Sequence, residues 1–340
     1  MASPNNRTIA VFGGSGHTGR FVVSELLRRG FNPLAISRST SKLSASSFEE
    51  RGVTVRTASI EDPSSLDRAF AGAAAVINCA GPFLDTAEPV AGAALRTRIH
   101  YLDVTAEQPS ALATLEQFGA ASREAGVIVV PAMGFYGGFG DLLATAAMGD
   151  WDYADEISLG IALDSWWPTL GTRKTGERNT ARRLTIIDRK LAPMTLPLPQ
   201  TSLNFSEPFG RQDVTEIAFS EVILMARHLK VSRLRTYLNN TPLQDIHDDS
   251  TPPPVAADET GRSSQIFLVD AIVRKGSDTR RATARGRDIY AFTAPLVVEA
   301  VRRILDGEIS GSGALAPGEL FDAKRFLEAL VPEHLELEIR

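Results

Sequence analysis

Residues 8–20 read Thr-Ile-Ala-Val-Phe-Gly-Gly-Ser-Gly-His-Thr-Gly-Arg. A short apolar run, Ile9 to Phe12, ends in glycines spaced Gly13-x-x-Gly16-x-x-Gly19. The segment that follows, stopped by Gly30, gathers Phe21, Val22, Leu26 and Leu27 on one side of a helix. The order is strand, glycine turn, helix. A helix start presents unpaired backbone N–H groups and partial positive charge. A pyrophosphate suits that spot where no Cβ blocks its approach. Glycine spacing alone would also fit a bare tight turn. Its place between a strand and a helix is what predicts a dinucleotide site.

Length and composition set the frame. The chain has 340 residues, 43% apolar and 23% charged, with net charge −5. These values fit a soluble globular protein of one large or two ordinary domains. The basic residues are scattered and form no stripe for nucleic acid. One cysteine, Cys79, excludes disulfides within the chain and points to a reducing compartment. The opening MASPNNRT lacks the order of a signal peptide. The most apolar stretch, Ala69 to Phe83, is too short to span a bilayer. A cytoplasmic protein with no membrane contact is expected.

Outward from the glycine turn, strand-like runs recur at 34–37, 53–58, 75–79, 101–104 and 127–131. They are short, apolar and often β-branched, as in a parallel sheet covered on both faces. Helical segments separate them. Asp62-Pro63 reads as an N-cap with proline in the first turn. Six strands with five crossovers predict a doubly wound α/β domain over residues 1–140. Beyond about Trp151 the pattern changes. Strands are expected at 157–163 and 182–187, and a hairpin at 265–274 and 280–287 around Lys275-Gly276-Ser277-Asp278. A helix is expected at 219–229. Residues 192–213 and 248–262 are too proline-rich for regular structure. Residues 141–290 therefore read as an α+β substrate or dimerisation domain with a largely antiparallel sheet. Residues 291–340 read as a helical segment packing back on the first domain.

Cofactor choice turns on the end of the second strand. NAD enzymes of this type place an acid there, roughly twenty residues past the glycines. Here the stretch reads Ser37-Arg38-Ser39-Thr40-Ser41-Lys42, with no acid. Arginine pairs with a 2′-phosphate and serine hydroxyls donate to it. NADP(H) is predicted, with Arg38 as main contact and Ser39 beside it. A solvated surface arginine is the plain alternative.

The chemistry is less legible. None of the five tyrosines is followed four residues later by lysine, so the proton relay of short-chain dehydrogenases is not encoded. The five histidines show no metal spacing, and no metal is expected. Cys79 reads as a small buried residue rather than a nucleophile. The fifth strand runs into Asp103, Thr105 and Glu107, and the sixth into Phe135 and Tyr136. Ligands of open α/β sheets bind outside this edge. Asp103 and Tyr136 are therefore the catalytic candidates, although Asp103 serves equally well as a turn cap. Glu107, Phe135, Trp166, Trp167 and Lys174 are candidates for the substrate, the tryptophans alternatively being core or dimer contacts.

At these residues the chain resembles the saccharopine dehydrogenase-like (saccharopine reductase-like) NADP-binding oxidoreductases. The similarity is carried by VFGGSGHTGR, VINCAGPFLDTAEPVAGAAL, HYLDVTAE and PAMGFYGGFGDLLA. FSEVILMARHLKV, TARGRDIYAFTAP and GALAPGELFDAKRFLEAL extend it into the second half. The resemblance implies a Rossmann domain, a second α+β domain whose sheet often mediates dimerisation, and NADP(H) chemistry. It implies a cofactor site at Gly13, Ser15, Gly16, Thr18, Gly19, Arg38, Ser59, Ile60, Ala80, Gly81 and Pro82. His17, Ser39, Cys79 and Thr105 are counted with it. The expectation is a homodimeric reductase of a small substrate, acting on an imine or an activated C=C or C=O. A non-catalytic NADP(H) sensor or scaffold is the rival.

Overall fold

The computed structural model describes residues 7–39, 41, 43 and 46–340. Thr40 and Lys42 of the cofactor-choice stretch, and residues 1–6 of the leader reading, lie outside the described residues. The chain divides into two units. One comprises residues up to Gly134 together with Thr293–Leu315, and the other Phe135–Phe292 with Ala316–Arg340.

The first unit is built on strands β1 (Thr8–Phe12), β2 (Asn32–Ser37), β3 (Thr54–Thr57), β4 (Ala75–Asn78), β5 (His100–Asp103) and β6 (Ile128–Val130). Between them run helices α1 (His17–Arg28), α2 (Pro63–Phe70), α3 (Phe83–Thr97) and α4 (Gln108–Ala125). The strands pair in parallel in the order β3-β2-β1-β4-β5-β6. That is the doubly wound order, with its reversal at β1. Ile9, Ala10, Val11, Val76 and Ile77 are all buried, as strands covered on both faces require. Asp62 caps α2 as expected, accepting from Ser65 N at 3.2 Å. A short seventh strand, Gly313–Ala314, joins β6 at the edge and was not foreseen.

Within this unit Glu25 and Glu299 are buried acids bridged by Arg29, which donates to both at 2.6 Å. Arg303 donates to Glu299 at 2.7 Å. Burial alone would raise the two carboxyls. Their arginine partners more than offset it and hold both below the usual range.

The second unit carries a nine-stranded sheet. Its long members are Ala154–Leu163, Val231–Asn239 and the hairpin Ile266–Lys275 with Asp278–Arg287. All neighbours are antiparallel except Val231–Asn239 against Ala154–Leu163. Residues 192–213, expected to be irregular, in fact contribute strands at Lys190–Pro193, Gln200–Asn204 and Arg211–Glu216. The prolines fall at strand ends and turns. Tertiary packing supplies the rest: Phe205 and Val214 are buried in one cluster with Ala162, Tyr237 and Leu268. Helices Gly140–Met148, Leu170–Arg178, Glu221–His228 and Asn240–His247 belong to this unit. Residues 248–262 form no helix or strand. Among the described residues, no helix is long and apolar enough to cross a membrane.

Candidate functional site

The glycine turn does three separate jobs. Gly13 N donates to Ile36 O at 2.9 Å, tying the end of β1 to β2. Gly13 has φ +81°, and a Cβ there would lie 2.9 Å from Ala80 Cβ. A Cβ on Gly19 would overlap the carbonyl oxygen of Gly13, so α1 packs directly on the turn. Helix α1 starts at His17 with Gly16 at its N-cap and no side-chain cap. Its first-turn N–H groups have no acceptor within the helix.

The neighbouring helix starts differ. Asp62 caps α2. Glu107 caps α3: its carboxylate accepts from Phe83 N at 2.8 Å and Leu84 N at 3.1 Å. Helix α4 has proline in its first turn, which removes a donor. The start of α1 has no side-chain cap, and the turn before it is a cradle a Cβ would fill. A dinucleotide pyrophosphate fits it.

Around that start the structure gathers the predicted residues at the carboxyl ends of parallel strands. Ser37, at the end of β2, is buried, and its hydroxyl accepts from Ser15 Oγ at 3.1 Å and Ser39 N at 3.3 Å. Arg38 is exposed and, among the described residues, makes no hydrogen bond or ion pair. Ser59 follows β3 and exchanges hydrogen bonds with Ser65, with Ile60 next in the turn. Cys79, Ala80, Gly81 and Pro82 follow β4. Burial, with the nearby Asp103 charge, pushes the Cys79 thiol far up, which suits an inert packing residue.

Beyond β4 and β5 lies a buried polar network. Asn78 Nδ2 donates to Thr86 Oγ1 at 3.1 Å, and Thr86 Oγ1 donates to Ala80 O at 2.6 Å. Ala80 N donates back to Asn78 Oδ1 at 3.0 Å. Tyr101 OH donates to Asp103 Oδ2 at 2.9 Å. Asp103 Oδ1 accepts from Thr105 N at 3.0 Å and Ala132 N at 2.8 Å. Thr105 Oγ1 accepts from Glu107 N at 3.0 Å. Asp103, Thr105 and Glu107 are essentially inaccessible. Burial pushes the Asp103 carboxyl up to about 6, against its backbone and tyrosine donors. Burial also raises Glu107, partly offset by Phe83 N and Leu84 N. Both acids therefore have their oxygens committed: Asp103 joins the ends of β5 and β6 through Oδ1 and takes the Tyr101 hydroxyl on Oδ2, and Glu107 starts α3. The Asp103 bond to Thr105 N is the turn cap the sequence offered; the bonds to Ala132 N and Phe83 N were not visible, because those partners lie 29 and 24 residues away.

The remaining candidates belong to the second unit. Phe135 is buried among Phe139, Phe267 and Phe292. Tyr136 is buried against Trp166 and Phe219, with ring centres 5.0 and 4.3 Å away. Trp166 Nε1 donates to Tyr290 OH at 3.0 Å. Trp167 is half-buried, and Lys174 is exposed on the helix Leu170–Arg178. Glu221, which sequence reasoning missed, is buried in this unit. Its only signal was its position in an otherwise apolar helix. Among the described residues no group of three His, Cys, Asp or Glu could hold a metal ion.

Comparison with known proteins agrees with this geometry. The NmrA-like family matches residues 5–95. A protein of Arabidopsis thaliana named probable mitochondrial saccharopine dehydrogenase-like oxidoreductase is 29% identical over 143 residues. That match covers 37% of this chain and 31% of the plant protein. The human saccharopine dehydrogenase-like oxidoreductase is 27% identical over 146 residues, 37% of this chain and 34% of its own length. The chain resembles the saccharopine dehydrogenase-like oxidoreductases. The matches span only about a third of these curated relatives. The apo saccharopine dehydrogenase (L-Glu forming) of Saccharomyces cerevisiae has the same fold, with TM-score 0.68 at 13% identity, covering 98% of this chain and 100% of that one. The fold expected from the sequence, a Rossmann-type doubly wound parallel sheet plus a second α+β domain with a largely antiparallel sheet, is the fold observed, with one parallel pair in the second sheet.

Proposed function

We propose that the chain is an NADP(H)-dependent reductase of a small organic substrate, acting on an imine or an activated C=C or C=O. The observation that carries this reading is the start of α1, without a side-chain cap, together with an exposed Arg38 that has no partner among the described residues and no acid at the end of β2. The bound cofactor would supply hydride. Gly13, Gly16 and Gly19 admit the pyrophosphate to the helix start, with Ser15, His17 and Thr18 around it. Arg38 and Ser39 meet a 2′-phosphate, Ser59 and Ile60 border the adenine, and Cys79 to Pro82 with Thr105 border the ribose and nicotinamide side. Asp103 and Glu107 act by holding this lip rigid. Tyr136 is the proposed proton donor, with Phe135, Trp166, Trp167 and Lys174 as substrate contacts. Association of two copies through the second unit's sheet and a cytoplasmic location complete the reading, and light scattering and fractionation check them.

One observation favours a second reading. Asp103 and Tyr136 are both buried, which suits a non-catalytic NADP(H) sensor or scaffold. NADPH oxidation across a panel of imines, enones and ketones separates the two. Turnover on any of them supports the reductase. Tight NADPH binding without turnover supports the sensor.

A further inference from the structure

Tyr136 (φ −87°, ψ 76°) and Gly137 (φ 160°, ψ −104°) are non-helical and put a kink in the segment Phe135–Phe139. Three consecutive residues hold it. The Phe219 ring stacks on the Tyr136 ring at 4.3 Å and 32°. Ser220 Oγ donates to Tyr136 O at 2.6 Å. Glu221 Oε1 accepts from Phe219 N at 2.9 Å and so fixes the stacking residue. Arg183 secures the same turn, with its guanidinium 4.8 Å from the Phe219 ring centre and its Nη1 donating to Ala218 O at 2.6 Å.

One polar atom is left over. The Tyr136 hydroxyl is buried with no hydrogen-bond partner, whereas the Glu221 carboxyl has Phe219 N on Oε1 and the buried Thr236 hydroxyl beside it. Tyr136 is 8% exposed and Glu221 1%. Buried polar atoms are normally paired, so the orphaned Tyr136 hydroxyl calls for a reason. We propose that Glu221 is a positioning residue for Tyr136, its carboxyl fixing the 219–220 turn that holds the phenol in place to donate a proton. This rests on Tyr136 being the donor in the reductase reading.

The electrostatics agree. Burial, with Tyr290 and Glu221 nearby, raises the Tyr136 phenol far above its ordinary value. Burial pushes the Glu221 carboxyl up to about 7, with the Phe219 backbone donor, Arg183 and the Thr236 hydroxyl opposing. Glu221 therefore changes charge near neutrality, while Tyr136 stays protonated. The other titratable groups on neighbouring elements are Tyr290, Lys190, Glu319 and the pair His228–Asp141 at the far end of the Glu221 helix.

Trp166 packs on Tyr136 and Phe219, so its emission reports a charge change at Glu221 through them. Tryptophan emission of the full-length protein is followed between about pH 5 and 9, spanning the Glu221 titration. The wild type is expected to show a step near neutrality. Glu221→Gln and Trp166→Phe abolish it, and His228→Gln retains it. No step in the wild type overturns the proposal, as does a step that survives Glu221→Gln or vanishes in His228→Gln. Should Glu221→Gln fail to fold, Glu221→Asp is read instead, where a shifted midpoint supports the proposal and an unchanged one overturns it. NADPH oxidation by Tyr136→Phe tests the donor reading separately. Undiminished turnover there removes the donor role and leaves the emission result standing.

Discussion

A Cβ placed on Gly19 would overlap the carbonyl oxygen of Gly13. The glycine turn and the first turn of α1 are thus one packed unit, and the N–H groups of the helix start have a fixed position. Gly19→Ala has no flexible side chain to displace, because the neighbours are backbone atoms. It is expected to cost about 1–3 kcal/mol in stability and to abolish dinucleotide binding. Urea denaturation and NADPH fluorescence check this. Wild-type affinity in Gly19→Ala would count against the packed turn.

Glu107 starts α3 from 24 residues away. Removing its carboxylate leaves Phe83 N and Leu84 N without their acceptors. Glu107→Ala is expected to lose about 2 kcal/mol, and Glu107→Gln less, since one acceptor remains. Thermal unfolding of the two variants ranks them.

Asp103 titrates with a raised value, so the folded state holds its proton to higher pH than the unfolded chain. Its linkage therefore lowers stability as pH rises from the ordinary aspartate range to about 6. Asp103→Asn should remove that slope. Denaturant midpoints measured across the window test this, and an unchanged slope assigns it to another group.

Glu299 accepts from Arg29, Arg302 and Arg303 while being 2% exposed. Breaking a buried pair from one side strands the partner charge. Glu299→Ala is expected to cost about 3–5 kcal/mol. Glu299→Ala combined with Arg29→Leu should recover part of it, in a double-mutant cycle by urea unfolding.

The sequence was most readable where local chemistry decides structure. The Ile9–Phe12 run with its glycines, the Asp62 cap and the turn at 275–278 all appear where expected. It was least readable where distant residues decide. Strands Gln200–Asn204 and Arg211–Glu216 lie in a proline-rich stretch and form because Phe205 and Val214 find a buried cluster. Strand Val231–Asn239 carries Arg233 and Arg235, which hide its alternation. At the site, the glycines and Arg38 were legible because they act through backbone and charge. The commitments of Asp103 and Glu107, and the burial of Glu221, depend on contacts that spacing does not encode.

The central claim is an NADP(H) site set by α1 and Arg38. Binding of NADPH and NADH by the wild type and Arg38→Asp, measured by nucleotide fluorescence at fixed salt, tests it most directly. A charge-assisted contact to a phosphate is worth about 1.5–3 kcal/mol, or roughly 10- to 100-fold in affinity. The wild type is expected to favour NADPH by that margin, and Arg38→Asp to lose the preference with NADH binding retained. Equal affinities of the wild type for the two cofactors, or no binding of either, would contradict the account.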